Sequence, residues 1–219
     1  MKRKLFHTLL YIGALCVFIL LCSTLLSLKK FDPVIDQHII HHLTESGVTH
    51  DVTAVLLNFR ALDTLLEVGV VLLALIAIYT LDPHFRYKPI SSENTITNTF
   101  VALLFPLIVL CAFYLLYSGS YQSGGAFAAA ALLAGGIIIL RLVKPGYLSD
   151  LQELSLRFVY VSGLLFFVGV GTGTLFFGSF LEYRNTMATF LIVSIETVLT
   201  VSLGVILSTY FINAVQRFK

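Results

Sequence analysis

The sequence predicts an all-α integral membrane protein of about six transmembrane helices. Three observations lead to this fold class. Of the 219 residues, 58% are hydrophobic and only 12% are charged, and a typical soluble domain carries about twice that charged fraction. The mean hydropathy is +0.93. The apolar residues also fall in long runs rather than in amphipathic stripes, which is typical of membrane spans.

Six apolar runs are long enough to cross about 30 Å of hydrocarbon at about 1.5 Å per residue. They are Leu5–Leu28, Val55–Leu81, Thr99–Ser118, Gly124–Val143, Leu156–Phe177 and Met187–Ala214. The first run follows Lys2-Arg3-Lys4, as a secretory signal would. Its length and the lack of a small-x-small cleavage site favour an uncleaved span. A tight turn is expected at Gly119–Ser123.

The basic residues predict the orientation, because short cytoplasmic loops are enriched in Lys and Arg. With the N-terminus inside, the cytoplasmic side carries Lys2, Arg3, Lys4, Arg86, Lys88, Arg141, Lys144, Arg217 and Lys219, and the opposite side carries Lys29, Lys30 and Arg184. Both termini are therefore expected in the cytoplasm, in a multi-pass protein of the cell (inner) membrane. With a net charge of +2 and no extended basic block, nucleic acid is not an expected partner.

Small residues predict where helices approach each other closely. The fourth run reads GGAFAAAALLAGG, and the fifth contains Gly163, Gly169, Gly171 and Gly173. Such residues let backbones meet in lipid, either within the chain or against another subunit. Pro106 in the third run lacks a backbone N–H. It either kinks that helix or is simply tolerated there.

The residues that could carry chemistry are the ionisable ones at membrane depth, because such groups face protein or water rather than lipid. They are Arg60, Asp63 and Glu67 in the second run and Glu196 in the sixth. At 100° per residue, the first three share one helix face. Arg60 and Asp63 lie near the outer boundary. Glu67 is expected one to two turns deeper, at a depth similar to that of Glu196.

Two interpretations of these residues stay open. In the functional one, Glu67 and Glu196 line a proton or cation path, and Arg60 and Asp63 form a gate near its outer mouth. In the structural one, Arg60 pairs with Asp63 at the interface and Glu67 hydrogen-bonds a neighbouring helix. A carboxylate several residues inside a span cannot reach the surface, which favours a functional role for Glu67.

The outer segment Lys29–Thr53 is rich in histidine. It contains His38, His41, His42 and His50, with Asp36 and Asp51 among its acidic residues. HIIHH could place imidazoles on one helical face, but the spacing does not complete a ligand set, so a solvated, pH-sensitive loop is preferred to a metal site.

Cys16, Cys22 and Cys111 lie inside apolar runs and are interpreted as packing residues. No cofactor motif or nucleophile–base pair is present, so no cofactor and no enzymatic activity are expected.

The segment HDVTAVLLNFRALDTLLEVGVVLLALIAIYTL resembles the C-terminal part of the large MrpA protein of Mrp-type multisubunit cation/proton antiporters. The same module occurs as a small separate protein in related membrane-bound hydrogenases. The shared pattern is D/N-F/Y-R, then A/G-x-D-T, then a glutamate one turn later. Here it is Asn58-Phe59-Arg60-Ala61-Leu62-Asp63-Thr64, followed by Glu67.

From about Asn98 onward the chain resembles the MnhB/MrpB protein of the same antiporters. Leu104-Phe105-Pro106-Leu107 lies in its first span as in that family. The family's G-H-x-x-P-G-G-G-F turn corresponds to Gly119-Ser120-Tyr121-Gln122-Ser123-Gly124-Gly125-Ala126-Phe127, which lacks the His, the Pro and one Gly. The last span, with Ile195-Glu196-Thr197, resembles the family's closing helix.

The resemblance implies a fusion of two modules, residues 1–97 with two spans and residues 98–219 with four. It implies a non-catalytic subunit of a Na⁺/H⁺ antiporter whose partners are other membrane subunits, with Asp63 and Glu67 on the ion route. Two alternatives are kept. One is the equivalent subunit of a membrane-bound hydrogenase or of a respiratory complex related to complex I. The other is a structural scaffold whose small-residue helices hold partner subunits.

Overall fold

A computed structural model describes residues 13, 15–16, 18–20, 22–23, 26, 34–43, 46, 48–81, 95–143, 153–176, 178–183 and 185–217. By its contacts the chain divides into two compact units, residues 1–40 and 41–219. In the first unit, the described residues between 13 and 26 are helical. Most of the predicted first span, Leu5–Leu28, lies outside the described residues.

Within the described residues the chain is all α-helical. Helix α1 is Val34–His42, the short α2 is Asp51–Ala54, α3 is Ala61–Leu81, α4 is Thr95–Ser118, α5 is Ala126–Val143, α6 is Glu153–Thr174 and α7 is Asn185–Arg217. Helices α3 to α7 are each long and apolar enough to cross a membrane. Helices satisfy their own backbone hydrogen bonds, which a lipid environment demands. Five of the six predicted spans are therefore present among the described residues, and the fold class is confirmed.

The structure differs from the sequence prediction in the second span and in the outer segment. The second span was expected as one helix over Val55–Leu81, but Val55–Phe59 is a π-helical turn that ends at Arg60, whose φ is −127° and ψ is 33°. The Thr64 hydroxyl donates to the Leu56 carbonyl at 2.6 Å, which satisfies an acceptor at this break. The outer segment is also not simply a loop, because it contains α1, which follows Pro33 in the sequence.

Helix α7 is the central element of the second unit. It packs mainly against α5 and α6 and also touches α3 and α4. Its buried apolar face is formed by Ile192, Ile195, Leu199, Leu203 and Ile206. Small residues permit the close approach: a Cβ on Gly163 of α6 would lie 2.8 Å from the Ser202 Cβ of α7. This packing fixes which side of α7 faces the protein interior.

Candidate functional site

The connection between α4 and α5 forms one wall of the candidate site. After Ser118 the chain turns back, and the Gly125 N–H donates to the Leu115 carbonyl at 2.9 Å. A Cβ on Gly124 would clash with the same Leu115 carbonyl, and Gly125 has a φ of +96°. Only glycine adopts that backbone region without steric cost. The turn therefore requires both glycines, and α5 begins at Ala126 rather than at the predicted Gly124.

Glu196 lies directly opposite the start of α5. It belongs to the buried face of α7 and is only 3% exposed. The backbone N–H of Ala126 donates a hydrogen bond to its carboxylate, and the N-terminus of a helix favours a negative charge. The second oxygen, Oε2, is buried and has no hydrogen-bond partner among the described residues. Glu196 is nine residues into the candidate span Met187–Ile212, or about 14 Å along the helix axis.

A cavity of about 280 Å³ opens beside this carboxylate. It is walled by α2, the π-helical turn, the first turn of α3, the α4–α5 turn, the start of α5 and the middle of α7. Its polar side chains are His50, Thr53, Thr64, Ser123 and Glu196. His50 and Glu196 are the ionisable residues of this lining. At about 30 Å³ for each liquid water, the cavity can hold several water molecules.

The two buried threonine hydroxyls of the cavity are oriented by backbone carbonyls. Thr53 Oγ1 donates to the Gly119 carbonyl, and Thr64 Oγ1 donates to the Leu56 carbonyl. Each hydroxyl has only one proton. Both threonines therefore offer only lone pairs to any occupant of the cavity. Together with the Glu196 carboxylate they form an acceptor-rich wall, which suits a cation, a proton or water rather than an anion.

The other ionisable residues predicted from the sequence are exposed on the surface of the chain. Arg60 and Asp63 form an ion pair at the start of α3, and more than half of each side chain is exposed. Glu67, one turn further along, is also exposed. It is not among the residues that line the cavity. The structure thus brings Arg60 and Asp63 together and places Glu196 at the cavity, but it separates Glu67 from that cavity.

The residues predicted to act in helix packing and in the turn lie in two different places in the structure. Gly124, Gly125 and Phe127 all line the cavity, and Phe127 also packs against the main apolar cluster. Pro106 is exposed within α4, which continues as a helix from Thr95 to Ser118 on both sides of it. The glycine turn therefore belongs to the site as well as to helix packing.

The histidines of the outer segment are not gathered into one cluster. His41 and His42 are exposed at the end of α1, with their ring centroids 5.0 Å apart. The side chain of His38 lies outside the described residues. His50 instead lies at the cavity. No group of three or more His, Cys, Asp or Glu side chains in the described part of the chain could hold a metal ion.

The connection between α6 and α7 carries two ionisable residues with shifted pKa values. The backbone N–H of Ser179 donates to Glu182 Oε2 at 2.8 Å and lowers the pKa of that carboxyl. Burial raises the pKa of the Tyr183 phenol, whose hydroxyl has no hydrogen-bond partner among the described residues. Tyr183 belongs to the main apolar cluster together with Leu181 and Ala188. It is a packing residue of the connection rather than part of the cavity.

The five long apolar helices, α3 to α7, define a multi-pass helical membrane protein, and a carboxylate is buried in the middle of its last helix. Comparison with known families gives its relationship. Residues 96–211 match the MnhB family, described as a domain related to the MnhB subunit of Na⁺/H⁺ antiporter, and residues 2–99 match the MbhE family of MBH subunits. The chain therefore belongs to the MnhB-related family. The family resemblance noted in the sequence is thereby confirmed.

Individual relatives agree with this assignment. A probable K⁺/H⁺ antiporter A/B subunit of Rhizobium meliloti (strain 1021) is 26% identical in an alignment 206 residues long that covers 80% of this chain and 20% of the relative. The chain thus spans about a fifth of that protein. The Mrp complex from Dietzia sp. DQ12-45-1b contains a similar fold, with a TM-score of 0.70 and 24% identity over 94% of this chain and 26% of the other.

A second solved structure is similar over nearly its whole chain. It belongs to the membrane-bound sulfane sulfur reductase, an archaeal respiratory membrane complex. The TM-score is 0.74 at 23% identity, over 96% of this chain and 98% of the other. At this identity the similarity shows a shared fold.

Three lining residues did not stand out in the sequence as candidate site residues. Thr64 was quoted only as part of the D-T pattern, Thr53 was not singled out, and His50 was grouped with the other histidines. A usable signal existed for Thr64, because it precedes Val68 by four residues within α3 and so shares a helix face with that buried position. No comparable signal existed for Thr53 and His50, since their partners are about seventy residues away in the α4–α5 turn.

Proposed function

We propose that this chain is a non-catalytic subunit that contributes intramembrane carboxylates to ion translocation in a cation/proton antiporter. The observation that carries the proposal is the Glu196 carboxylate, which is buried at the cavity with one oxygen lacking a hydrogen-bond partner in the described part of the chain. A buried charge without a partner is strongly unfavourable. Glu196 is therefore stable either as the neutral acid or with a cation beside it. Exchange between these two states is what coupled transport of a cation and a proton needs.

Glu67 has a different role in this proposal. It is exposed on α3 next to exposed apolar residues such as Leu66 and Val70. A carboxylate on a lipid-facing surface is costly, so this face of α3 lies against another subunit in the assembled complex. Glu67 then continues the ion route into the partner, while the exposed Arg60–Asp63 pair lies at the end of the same interface.

The matched ranges of the two families support a fusion of two modules near residue 97. The MbhE match ends at residue 99, and the MnhB-related match begins at residue 96. The cavity draws on both modules, because His50, Thr53 and Thr64 come from the first and Glu196 from the second. Such a fusion would keep the two halves of one site in a fixed ratio.

The test uses Glu196→Gln and Glu67→Gln in the complete complex, with transport measured in inverted vesicles by a pH-sensitive dye after addition of Na⁺ or K⁺. Glutamine keeps the size of each side chain but cannot take up a proton or balance a cation. We expect both variants to assemble and to lose coupled transport. Glu182→Gln, an exposed carboxyl in the α6–α7 connection, is the matched control and should transport normally.

Normal transport by an assembled Glu196→Gln complex would overturn the proposal for the cavity. Normal transport by Glu67→Gln would favour the scaffold alternative for α3. A loss of assembly in Glu67→Gln alone would instead assign that residue to the binding of a partner.

A membrane subunit of a redox-driven respiratory complex is the second candidate. The observation that favours it is the similarity to the sulfane sulfur reductase chain, which this chain covers almost completely. In such a complex the same carboxylates would move ions, but electron transfer would drive them. Purification in mild detergent separates the two candidates: iron–sulfur subunits among the co-eluting proteins support the respiratory complex, and antiporter subunits alone support the antiporter.

A further inference from the structure

We infer that His50 transfers protons between the aqueous surface and the Glu196 cavity, with Asp51 as its outer partner. The inference rests on the proposed function, because it supplies the proton that Glu196 exchanges. It assigns a role to a residue at the mouth of the cavity rather than to a carboxylate within the span.

The backbone holds His50 in place from two sides. Its N–H donates to the Ser120 carbonyl at 3.2 Å, and its own carbonyl accepts the Ala54 N–H at 3.0 Å. Thr49 Oγ1 donates to the same Ser120 carbonyl at 3.2 Å. These contacts attach the start of α2 to the α4–α5 turn, so the imidazole has a defined position at the cavity wall.

The hydrogen bonds also determine which ring nitrogen carries the proton. His50 Nδ1 lies 3.2 Å from Thr53 Oγ1. The only proton of that hydroxyl is donated to the Gly119 carbonyl, so Thr53 can only accept from the imidazole. Nδ1 is therefore protonated in the neutral ring, and Nε2 has a free lone pair. Nε2 lies 3.8 Å from Oδ1 of the exposed Asp51 carboxylate.

Exposure decreases stepwise from Asp51 to Glu196. The Asp51 side chain is 63% exposed, the His50 side chain is 19% exposed, and Glu196 is 3% exposed. Besides His50, the ionisable residue of the described cavity lining is Glu196 from α7, and Asp51 from the segment of His50 lies next to its ring. In the described lining, the α4–α5 turn, the π-helical turn and α3 contribute only hydroxyls, apolar side chains and backbone. Of the two ionisable residues in the described cavity lining, His50 is therefore the more accessible to solvent.

The transfer conserves protons and charge at each step. A proton from the aqueous side adds to Nε2 of neutral His50 and gives an imidazolium beside Asp51. The imidazolium then passes this Nε2 proton to cavity water, and that water transfers a proton to the Glu196 carboxylate, which becomes the neutral acid. His50 is neutral again, and one proton has moved inward. Imidazole suits this task because it gains and loses protons near neutral pH.

A purely structural role for His50 makes a different prediction, and His50→Asn distinguishes the two. The asparagine amide can donate to Thr53 Oγ1 as Nδ1 does, but it cannot be protonated. We expect this variant to assemble and to move protons at least about tenfold more slowly than the wild type. His41→Asn, which changes an exposed histidine at the end of α1, should transport normally. In His50→Ala, free imidazole should restore part of the rate.

Asp51→Asn provides a second variant that does not depend on the folding of His50→Asn. Asparagine can still accept the Val52 N–H, which Asp51 Oδ1 accepts at 2.8 Å, but it removes the charge beside Nε2. We expect slower proton movement in an assembled complex. If Glu196→Gln is inactive while His50→Asn and Asp51→Asn transport at the wild-type rate, the role of His50 is wrong and the proposed function stands. If Glu196→Gln is also fully active, both are wrong.

Discussion

Replacing Gly125 by alanine perturbs the site at the point where the turn meets the Glu196 carboxylate. Gly125 has a φ of +96°, and a Cβ built there would lie 3.1 Å from Glu196 Oε1. An L-residue in this backbone region costs about 1–2 kcal/mol. The contact forces the carboxylate to shift by a few tenths of an ångström, which weakens the hydrogen bond from the Ala126 N–H. For a chain of this size, a loss of 1–2 kcal/mol corresponds to a decrease in Tm of about 2–8 °C.

The assay for this variant has two readouts, the Tm of the purified complex and coupled transport in vesicles. Gly135→Ala is the matched control, since Gly135 lies inside α5 and a Cβ there would meet nothing within 4 Å. We expect the control to match or exceed the wild-type Tm, because alanine favours the helix by about 1 kcal/mol. We expect Gly125→Ala to lower both Tm and transport. Equal behaviour of the two variants in both readouts would refute the argument that Gly125 positions Glu196.

Two further predictions concern packing. Gly136→Ala should lower the Tm of the complex, because its Cβ would lie 2.9 Å from Ile108 Cγ2 of α4 and overpacking costs about 1–3 kcal/mol; a Tm equal to that of Gly135→Ala would contradict this. Tyr183→Phe should leave the Tm at neutral pH unchanged or higher, since the Tyr183 hydroxyl has no partner among the described residues. Burial raises the pKa of Tyr183, so its contribution to stability is complete below about pH 10 and is lost at higher pH. The decrease in Tm at alkaline pH should therefore be smaller in Tyr183→Phe, and an equal decrease would show that Tyr183 does not cause it.

The membrane-spanning elements were largely predictable from the sequence. Apolar runs such as Thr99–Ser118 correspond to helices in the structure, because lipid forces each span to satisfy its own backbone hydrogen bonds. This requirement is local, and hydropathy along the chain reports it directly. The ends were less predictable, since the π-helical turn before Arg60 depends on the Thr64 hydroxyl and the start of α5 depends on the φ of Gly125.

Only the tertiary structure decided which side of each span faces the protein interior. Both Glu67 and Glu196 are carboxylates several residues inside an apolar helix, and the sequence pattern favoured Glu67. Lipid and protein interior are both apolar, so the residues around such a helix do not indicate which side is buried. The packing of α7 against α5 and α6 turned Glu196 toward the cavity, while Glu67 is exposed on α3.

By itself, the sequence determined the class of this protein and its family, and it singled out a small set of ionisable residues within the apolar runs. The tertiary structure decided which of those residues share a cavity. His50 and Thr53 meet the α4–α5 turn across about seventy residues of sequence, and Glu196 meets Ala126 across seventy. Contacts over such separations depend on how the helices pack against each other, and no periodicity within one helix encodes that packing.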